Sequence, residues 1–188
     1  MLTQIAMVAA TASAIPSAVF PTRFGSVIGE TEGSISVFHS IPFAAPPLGP
    51  LRWAPPQNPQ PWADVKNVSA LPAQCPQPSN GSTAGSEDCL FLFVYTPASK
   101  PCVESALCAK RPVMVWVHGG GLSGGNGYLG GDGGAGGVYD GVALASRLDV
   151  VVVSVQYRLG TLGFLGLPSG KCGVRVRRWG AGEEVGCG

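Results

Sequence analysis

The residues with the clearest chemical potential are three consecutive glycines, Gly119 to Gly121, which follow the apolar run PVMVWV and His118. A glycine run at the end of a strand lets main-chain amides come close to a carbonyl oxygen, because no side chain stands between them. Amides placed in this way stabilise the negative charge that develops on the oxygen during acyl transfer. The glycine run is therefore open to three interpretations: a flexible linker, a phosphate-binding loop, or one half of a catalytic site.

A second interpretation of the same region is a phosphate-binding loop. Residues 125–130, GNGYLG, match G-x-G-x-x-G, and Asp149 lies about twenty residues further on, where a ribose-binding acid is expected. The fingerprint should begin where the strand ends, however, and here the strand ends at HGGG. A Walker loop is also disfavoured, since Cys172 follows Gly170 and Lys171 in place of serine or threonine. No nucleotide or other cofactor is predicted.

The glycines lie between elements that predict a β-α-β crossover. The run Val150 to Tyr157 is nearly continuous in β-branched residues, which indicates a strand buried on both faces of a parallel or mixed sheet. Pro112 to Val117 predicts a second apolar strand, and Val142 to Arg147 predicts a short helix between the two. Leu90 to Tyr95 adds another strand. These features predict an α/β protein with a mixed central sheet.

The N-terminal half predicts β structure followed by irregular chain. Gly25 to Phe38 contains two short strands, SVIG and SISVF, joined at Glu30 to Gly33, and a hairpin is the simplest arrangement. Residues 42–78 are rich in proline, which lacks an amide donor and has a fixed φ. We expect this segment to form a structured surface loop or a linker.

Composition limits the class of protein. With 45% apolar and 12% charged residues, the chain is not a disordered one. A net charge of +1 predicts no nucleic-acid partner and no attraction to an acidic membrane surface. No apolar run reaches the roughly eighteen residues that span a bilayer. The six cysteines have no zinc-binding spacing, so no metal is predicted, and spacing alone leaves their disulfide pairing open.

The N-terminus and two sequons favour secretion. Residues 1–18 contain a short apolar core and an A-S-A site at 12–14 that is typical of a signal peptide. A positive n-region is lacking, and a ragged apolar terminus is the alternative. Asn67 and Asn80 each begin an N-x-S glycosylation sequon, and with the six cysteines they fit an oxidising compartment. We expect a secreted, extracellular glycoprotein.

Five motifs carry a family resemblance in collinear order. They are SIPFAAPPLGPLRW at 40–53, AQCPQ at 73–77, SEDCLFLFVYTP at 86–97, PVMVWVHGGG at 112–121 and VVVVSVQYRLGTLGFL at 150–165. Together they resemble the type-B carboxylesterase/lipase family, the cholinesterase-like α/β-hydrolases. The resemblance implies the N-terminal part of an α/β-hydrolase fold and a serine esterase that acts on small carboxylic esters.

The resemblance assigns roles to the residues of the glycine run. Gly120 and Gly121 correspond to the donors of the oxyanion hole. The triad histidine of the family lies far toward the C-terminus, so the resemblance implies that His118 orients the loop. The glycine-rich stretch 130–137 extends beyond the family's usual loop and is interpreted as an insert.

Two further residue pairs follow from the resemblance. Cys75 and Cys89 correspond to the first disulfide of the family. Arg52 and Glu87 correspond to its internal ion pair. The alternative for the second pair is a solvated surface contact, which contributes little to stability.

The serine nucleophile of the family has no counterpart in the sequence. In the family it lies in G-x-S-x-G and is followed by an acid and a histidine, and no G-x-S-x-G occurs in the 188 residues. We interpret residues 19–167 as the N-terminal portion of a carboxylesterase domain and residues 168–188 as an unrelated tail. The chain is therefore expected to be inactive alone. The alternative is a noncatalytic binding or adhesion protein on a cholinesterase-like scaffold.

Overall fold

The computed structural model describes residues 15–98, 110–128 and 140–165. Several predictions concern residues outside these ranges. They are most of the signal segment 1–18, the glycine-rich stretch 130–137, the tail 168–188, and the cysteines Cys102, Cys108, Cys172 and Cys187. Within the described ranges, the helices are too short to cross a membrane.

Short strands dominate the described residues, and two helices accompany them. The strands are β1 (Ile15–Pro16), β2 (Phe20–Thr22), β3 (Gly25–Ile28), β4 (Glu30–Glu32), β5 (Ile35–Pro42), β6 (Lys66–Asn67), β7 (Gln77–Ser79), β8 (Ser82–Ala84), β9 (Phe91–Pro97), β10 (Val113–Val117) and β11 (Val151–Val155). The helices are α1 (Gly141–Leu148) and α2 (Gly160–Phe164), and a 3₁₀ turn covers Gly49–Leu51.

A six-stranded mixed sheet with the order β1-β4-β5-β9-β11-β10 organises the fold. Its pairs are antiparallel except for β10 and β11, which run parallel in a register that places Val113 beside Val151 and Val117 beside Val155. Helix α1 connects these two strands. The predicted β-α-β crossover and the mixed sheet are therefore confirmed.

The predicted hairpin is present, but its strands differ from the expected ones. Glu30–Glu32, which was expected to be the connection, is strand β4 and pairs with β5 from Glu30↔Val37 to Glu32↔Ile35. The SVIG segment forms β3 in a separate three-stranded sheet with β2 and β6. The chain changes sheets at Gly29, where a Cβ would overlap the Val37 carbonyl oxygen. This close approach of two backbones ends β3 before it can pair with β5.

The proline-rich segment is a structured loop that packs onto the sheets. Between the end of β5 and the start of β7, its extended piece among the described residues is the two-residue strand β6. Main-chain hydrogen bonds fix it at several points, among them Phe43 N to Leu90 O at 3.2 Å and Val68 N to Ile28 O at 2.8 Å. Proline therefore limits the length of the ladders without making the segment a free linker.

The main core lies between the central sheet and α1. Phe93, Tyr95 and Val152 project from β9 and β11 and are each 1% exposed. Helix α1 begins at the cap residue Asp140, whose carboxylate accepts a hydrogen bond from Ala143 N at 2.9 Å. Gly141 in the first turn lies so close to the Tyr95 ring that a Cβ there would be 2.6 Å from it. This glycine lets the helix lie directly on the sheet.

The opposite face of the β10–β11 pair is open in the described residues. Val113, Val115 and Val117 are 59%, 65% and 62% exposed, and no further strand lies beside β10 among the described residues. We call these three side chains the valine face. The expectation that β11 is buried on both faces is met in part, because Val152 and Ser154 are buried on the α1 side and the other three valines of the strand are half-buried.

A lysine on the valine face should reduce self-association. The change Val115→Lys removes little packing, because the side chain is mostly exposed, and it places a charge on an edge strand, which opposes strand-to-strand pairing. We expect a larger monomer fraction in sedimentation velocity over a concentration series. In the matched control Val152→Lys the same charge enters the core, so the fold should be lost. Equal association of Val115→Lys and the original chain would contradict the prediction.

Candidate functional site

The glycine loop, residues 118–125, follows β10 directly. Gly120 has a φ of 124° and Gly121 a φ of 61°, and Leu122 after them also lies in the left-handed region at 60°. Gly160 N donates to Leu122 O at 2.7 Å. The chain therefore turns sharply at the end of the strand, and its far side is held by the start of α2.

Three successive main-chain amides of the loop have no acceptor. Gly119, Gly120 and Gly121 are exposed, and their N–H groups make no hydrogen bond with any described residue. By contrast, the amides of Ser123 and Gly124 both donate to Gly120 O, at 3.2 and 3.1 Å. The loop thus satisfies its own later amides and leaves the first three available to a ligand.

Close packing explains why glycine is required at two positions of this loop. A Cβ on Gly120 would overlap the Gly124 carbonyl oxygen, and the φ of Gly120 is one that only glycine adopts readily. A Cβ on Gly125 would lie 2.5 Å from both Gly119 O and His118 Nδ1. Gly119 differs, since a Cβ there would meet nothing within 4 Å.

His118 is held between the loop and Tyr157. The imidazole and the Tyr157 ring are stacked with centroids 4.3 Å apart and planes 16° apart. The Tyr157 hydroxyl donates to the His118 carbonyl oxygen at 2.5 Å, and His118 Nδ1 lies 2.9 Å from Gly119 O. No carboxylate in the described ranges forms an ion pair with this histidine. These contacts fix the orientation of the imidazole relative to Tyr157 and Gly119.

Burial changes the titration of the two residues that follow β11. It raises the pKa of Tyr157 and lowers that of Arg158. The Arg158 guanidinium donates through Nη2 to Ala54 O at 3.0 Å, whereas its Nη1 is buried without a partner in the described part of the chain. A cavity of about 220 Å³ lies beside both side chains and is also lined by Phe43 and Phe164. The cation therefore ties the proline-rich segment to the end of β11.

The disulfide loop, residues 75–89, contacts the glycine loop. Cys75 and Cys89 are joined by a disulfide with Cα atoms 5.1 Å apart, and the loop they close contains the β7–β8 hairpin. From β7, Gln77 makes two hydrogen bonds to Gly125. From the end of β11, Gln156 donates to Cys89 O at 3.2 Å. The disulfide loop is thus attached to both the sheet and the glycines.

The contacts of these two glutamines were not predicted from the sequence. Gln156 is a buried amide at the end of an otherwise apolar strand, and a polar residue in such a run is a signal that a specific partner exists. Gln77 belongs to the quoted AQCPQ motif, where the cysteine alone was interpreted. Neither signal reveals which main-chain groups the amides bind.

Arg52 and Glu87 form a two-point contact beside the disulfide loop. Arg52 Nε and Nη2 each donate to a different carboxylate oxygen of Glu87 at 2.6 Å. This hydrogen-bonded carboxylate raises the pKa of Arg52. The side chains are 41% and 23% exposed, so the pair lies at the surface and has the fork geometry that fixes orientation.

The two sequon asparagines lie on exposed β structure. Asn67 is in β6, and its Oδ1 accepts hydrogen bonds from the Ser69 amide and hydroxyl at 3.0 and 2.8 Å. Asn80 is exposed in the turn between β7 and β8 with a φ of 48°. Both side chains are accessible, and glycosylation stays a prediction. The described residues contain no cluster of three or more metal-ligating side chains.

One cavity of the described residues lies outside the glycine loop. It measures about 600 Å³ and is lined by the proline-rich segment together with Asp88 and Phe91. No residue of the glycine loop lines it. The free amides therefore lie on an open surface and not in an enclosed pocket of the described residues.

The sequence of the chain matches a known protein family over most of its length. Residues 16–173 match the sequence pattern of the carboxylesterase family, COesterase, and this range is most of the chain. The chain belongs to the carboxylesterase family. The type-B carboxylesterase resemblance inferred from the five motifs is confirmed.

Individual carboxylesterases share about two fifths of their residues with this chain. Pyrethroid hydrolase Ces2e of Rattus norvegicus is 42% identical over 150 residues, which is 73% of this chain and 24% of the rat protein. Carboxylesterase 1D of Mus musculus is 40% identical over 183 residues, which is 85% of this chain and 30% of the mouse protein. The chain thus spans less than a third of the length of these relatives.

Solved carboxylesterase structures have the same partial fold. A PNB esterase matches with a TM-score of 0.67 and 38% identity, over 81% of this chain and 29% of its own. A carboxylesterase of Geobacillus stearothermophilus matches with the same TM-score at 36% identity, again over 81% of this chain and 29% of its own. The predicted N-terminal part of an α/β-hydrolase fold is therefore confirmed.

Removing the Tyr157 hydroxyl should weaken the carboxylesterase glycine loop in a pH-dependent way. Tyr157→Phe eliminates the hydrogen bond to the His118 carbonyl, which should lower the free energy of unfolding by about 1 kcal/mol at neutral pH. Because burial raises the Tyr157 pKa from its ordinary 10.0, the folded state holds this proton more tightly than the unfolded state. That stabilisation is complete below about pH 10 and is lost as the pH rises through the raised pKa.

Urea unfolding of both proteins at several pH values checks this expectation. The difference in unfolding free energy between the original chain and Tyr157→Phe should shrink above about pH 10. The other tyrosines titrate in both proteins, so their contribution cancels in the difference. A difference that stays constant from pH 7 to pH 11 would contradict the assignment of the shift to Tyr157.

Proposed function

We propose that this chain supplies the oxyanion hole of a carboxylic ester hydrolase, with Gly120 and Gly121 as the main-chain donors. The observation that carries the proposal is the set of exposed amides at residues 119–121, which have no acceptor among the described residues. Membership of the carboxylesterase family supports ester substrates as the chemical class. His118 orients the loop through its contacts with Tyr157 and Gly119.

The chemistry of the proposed donors follows from charge development during acyl transfer. Attack of a nucleophile on the ester carbonyl moves the π electrons onto oxygen, and the resulting oxyanion accepts stronger hydrogen bonds than the neutral carbonyl. Donors that are already in place need no reorganisation at that moment. One such donor contributes about 10² to 10³ to the rate in enzymes of this type.

The serine nucleophile of the family has no counterpart among these 188 residues. In the family it is a serine of G-x-S-x-G, which the sequence lacks. Ser123 is near the glycines, but its hydroxyl donates to Gly120 O at 3.3 Å and has no base beside it. Ser154 is fully buried. The proposed role therefore concerns the stabilisation of charge and not the attack on the ester.

We also propose that the protein is secreted and carries glycans at Asn67 and Asn80. The disulfide between Cys75 and Cys89 supports an oxidising compartment, since such bonds seldom persist in a reducing one. Exposure of both asparagines supports access for the glycosylation machinery. The alternative is a noncatalytic binding protein on the same scaffold, which would not hydrolyse an ester.

The purified 188-residue chain should not hydrolyse short-chain aryl esters above a boiled control. It has the proposed oxyanion donors but no serine in the required elbow with a partner base. Release of the aryl alcohol is followed by absorbance with and without an organophosphate. Turnover that disappears after organophosphate treatment would mean that a serine of this chain is an activated nucleophile, and would refute the assignment.

An anion titration tests the donors directly. Dimethylarsinate is a tetrahedral anion, and binding at the proposed hole should shift the amide signals of Gly120 and Gly121 in ¹H–¹⁵N NMR spectra. The amide of Gly33, a turn glycine between β4 and β5, is the control within the same spectra. Saturable shifts confined to the loop support the proposal, and unchanged Gly120 and Gly121 signals would refute it.

Two alanine variants give this titration a matched pair. Gly119→Ala should keep anion binding, because its Cβ has open space. Gly120→Ala should weaken binding by about tenfold or more, since the overlap with the Gly124 carbonyl displaces the loop and the backbone becomes strained by about 1 to 3 kcal/mol. The same loss in both variants would argue that the glycines are general spacers.

A further inference from the structure

One side chain of the disulfide loop pairs with both main-chain polar groups of a single loop glycine. Gln77 Nε2 donates to Gly125 O at 2.8 Å, and Gln77 Oε1 accepts from Gly125 N at 2.8 Å. The two residues are 48 positions apart in the sequence. The primary amide makes the same pair of hydrogen bonds that a residue of a neighbouring β-strand would make. Both main-chain polar groups of Gly125 are therefore satisfied.

Gly125 in turn supports the part of the loop that presents the free amides. Its backbone lies against Gly119 O and the His118 ring, as the positions of a hypothetical Cβ indicate. The preceding residue, Gly124, donates to Gly120 O at 3.1 Å, and its own carbonyl oxygen lies directly against the Gly120 Cα. Displacement of residues 124–125 would therefore remove the backbone contacts that support Gly120.

Gln77 itself is fixed by well-buried chain. It follows Cys75 by two residues, and both disulfide cysteines are at most 2% exposed. Gln156, which is 2% exposed at the end of β11, donates to Ala73 O at 3.1 Å and to Cys89 O at 3.2 Å. A continuous series of contacts thus runs from the sheet through the disulfide loop to the glycine loop.

We propose that Gln77 is a positioning residue for the oxyanion donors. It acts through Gly125 and touches neither the substrate nor the reacting atoms. The inference rests on the proposed function for the role of the amides, while the loop contact itself rests on geometry alone. The two hydrogen bonds disfavour rotation of the peptide groups on either side of Gly125, and so hold the Gly120 and Gly121 amides in one direction.

Hydrogen exchange of backbone amides in the folded 188-residue chain tests the positioning role. Gln77→Met keeps the approximate size of the side chain and removes both hydrogen bonds to Gly125, together with the bond from Nε2 to Cys75 O at 3.2 Å. Gln77→Asn keeps the amide but is one methylene too short to reach Gly125. Both changes should accelerate exchange at Gly124 and Gly125 by about tenfold or more, the size expected for the loss of one or two hydrogen bonds. Amides of β9 and β11 should be unaffected.

Gln77→Glu separates the two hydrogen bonds. An ionised carboxylate still accepts from Gly125 N, but its second oxygen faces the carbonyl oxygens of Gly125 and Cys75 with no proton to donate, so exchange at Gly125 should be faster than in the original chain. Gln74→Met is the matched control, because Gln74 is a nearby glutamine whose side chain makes no hydrogen bond with the described residues. It should leave exchange in the glycine loop unchanged.

Each outcome of these experiments either supports or overturns the positioning role of Gln77. Unchanged exchange at Gly124 and Gly125 in both Gln77→Met and Gln77→Asn would overturn the inference, as would the same acceleration in Gln74→Met. If Gln77→Met unfolds, which faster exchange in β9 would reveal, Gln77→Asn and Gln77→Glu decide. Dimethylarsinate affinity should fall about tenfold in the variants whose loop exchange accelerates.

The exchange and titration results also distinguish the two proposals. Exchange is measured without anion, so failure of the original chain to bind dimethylarsinate would refute the proposed function alone. Normal anion affinity in a variant with a loosened loop would refute the positioning role of Gln77 alone. Faster exchange together with weaker anion binding supports both.

Discussion

The parallel pairing of β10 with β11 is the constraint on which the site depends. Its register brings Val117 beside Val155, so the two strands end at the same edge of the sheet. The residues that follow them, His118 and Tyr157, can then stack with ring centroids 4.3 Å apart. In α/β sheets this edge gathers loops that bind ligands. The glycine loop has its position because a helix returns the chain to a neighbouring parallel strand.

Neutral amide side chains connect the disulfide loop to the sheet and to the glycine loop. Gln156 joins β11 to the disulfide loop, and Gln77 joins that loop to Gly125. A primary amide can donate and accept at once, which suits it to paired main-chain groups. It also avoids the large desolvation penalty of a buried ion. The charged pair of the region, Arg52 with Glu87, lies at the surface instead.

The two faces of the β10–β11 pair have opposite environments. Helix α1 covers one face, where Val152 and Ser154 are buried, whereas the valine face is open in the described residues. Exposed apolar patches of this kind either bind other protein or promote aggregation. The same strand pair that positions the glycine loop therefore also carries an exposed apolar patch of the described fold.

The sequence by itself determined the family and the strands and helix around the glycine loop. Runs of β-branched residues located β10 and β11, and the observed helix Gly141–Leu148 extends the predicted one by a single residue at each end. Local patterns suffice here because strand and helix periodicities are properties of neighbouring residues. The five motifs likewise identified the carboxylesterase family, since motif order survives without any knowledge of contacts.

Tertiary structure alone decided which distant groups meet. The sequence placed SVIG in a hairpin with SISVF, but β3 joined another sheet because the chain crosses tightly against Val37 at Gly29. The bonds from Gln77 to Gly125 connect residues 48 positions apart, and nothing in either neighbourhood specifies the other. Free amides and their supports depend on such non-local geometry. The family resemblance implied which glycines to propose as donors, whereas only the fold could reveal which residues hold that loop in place.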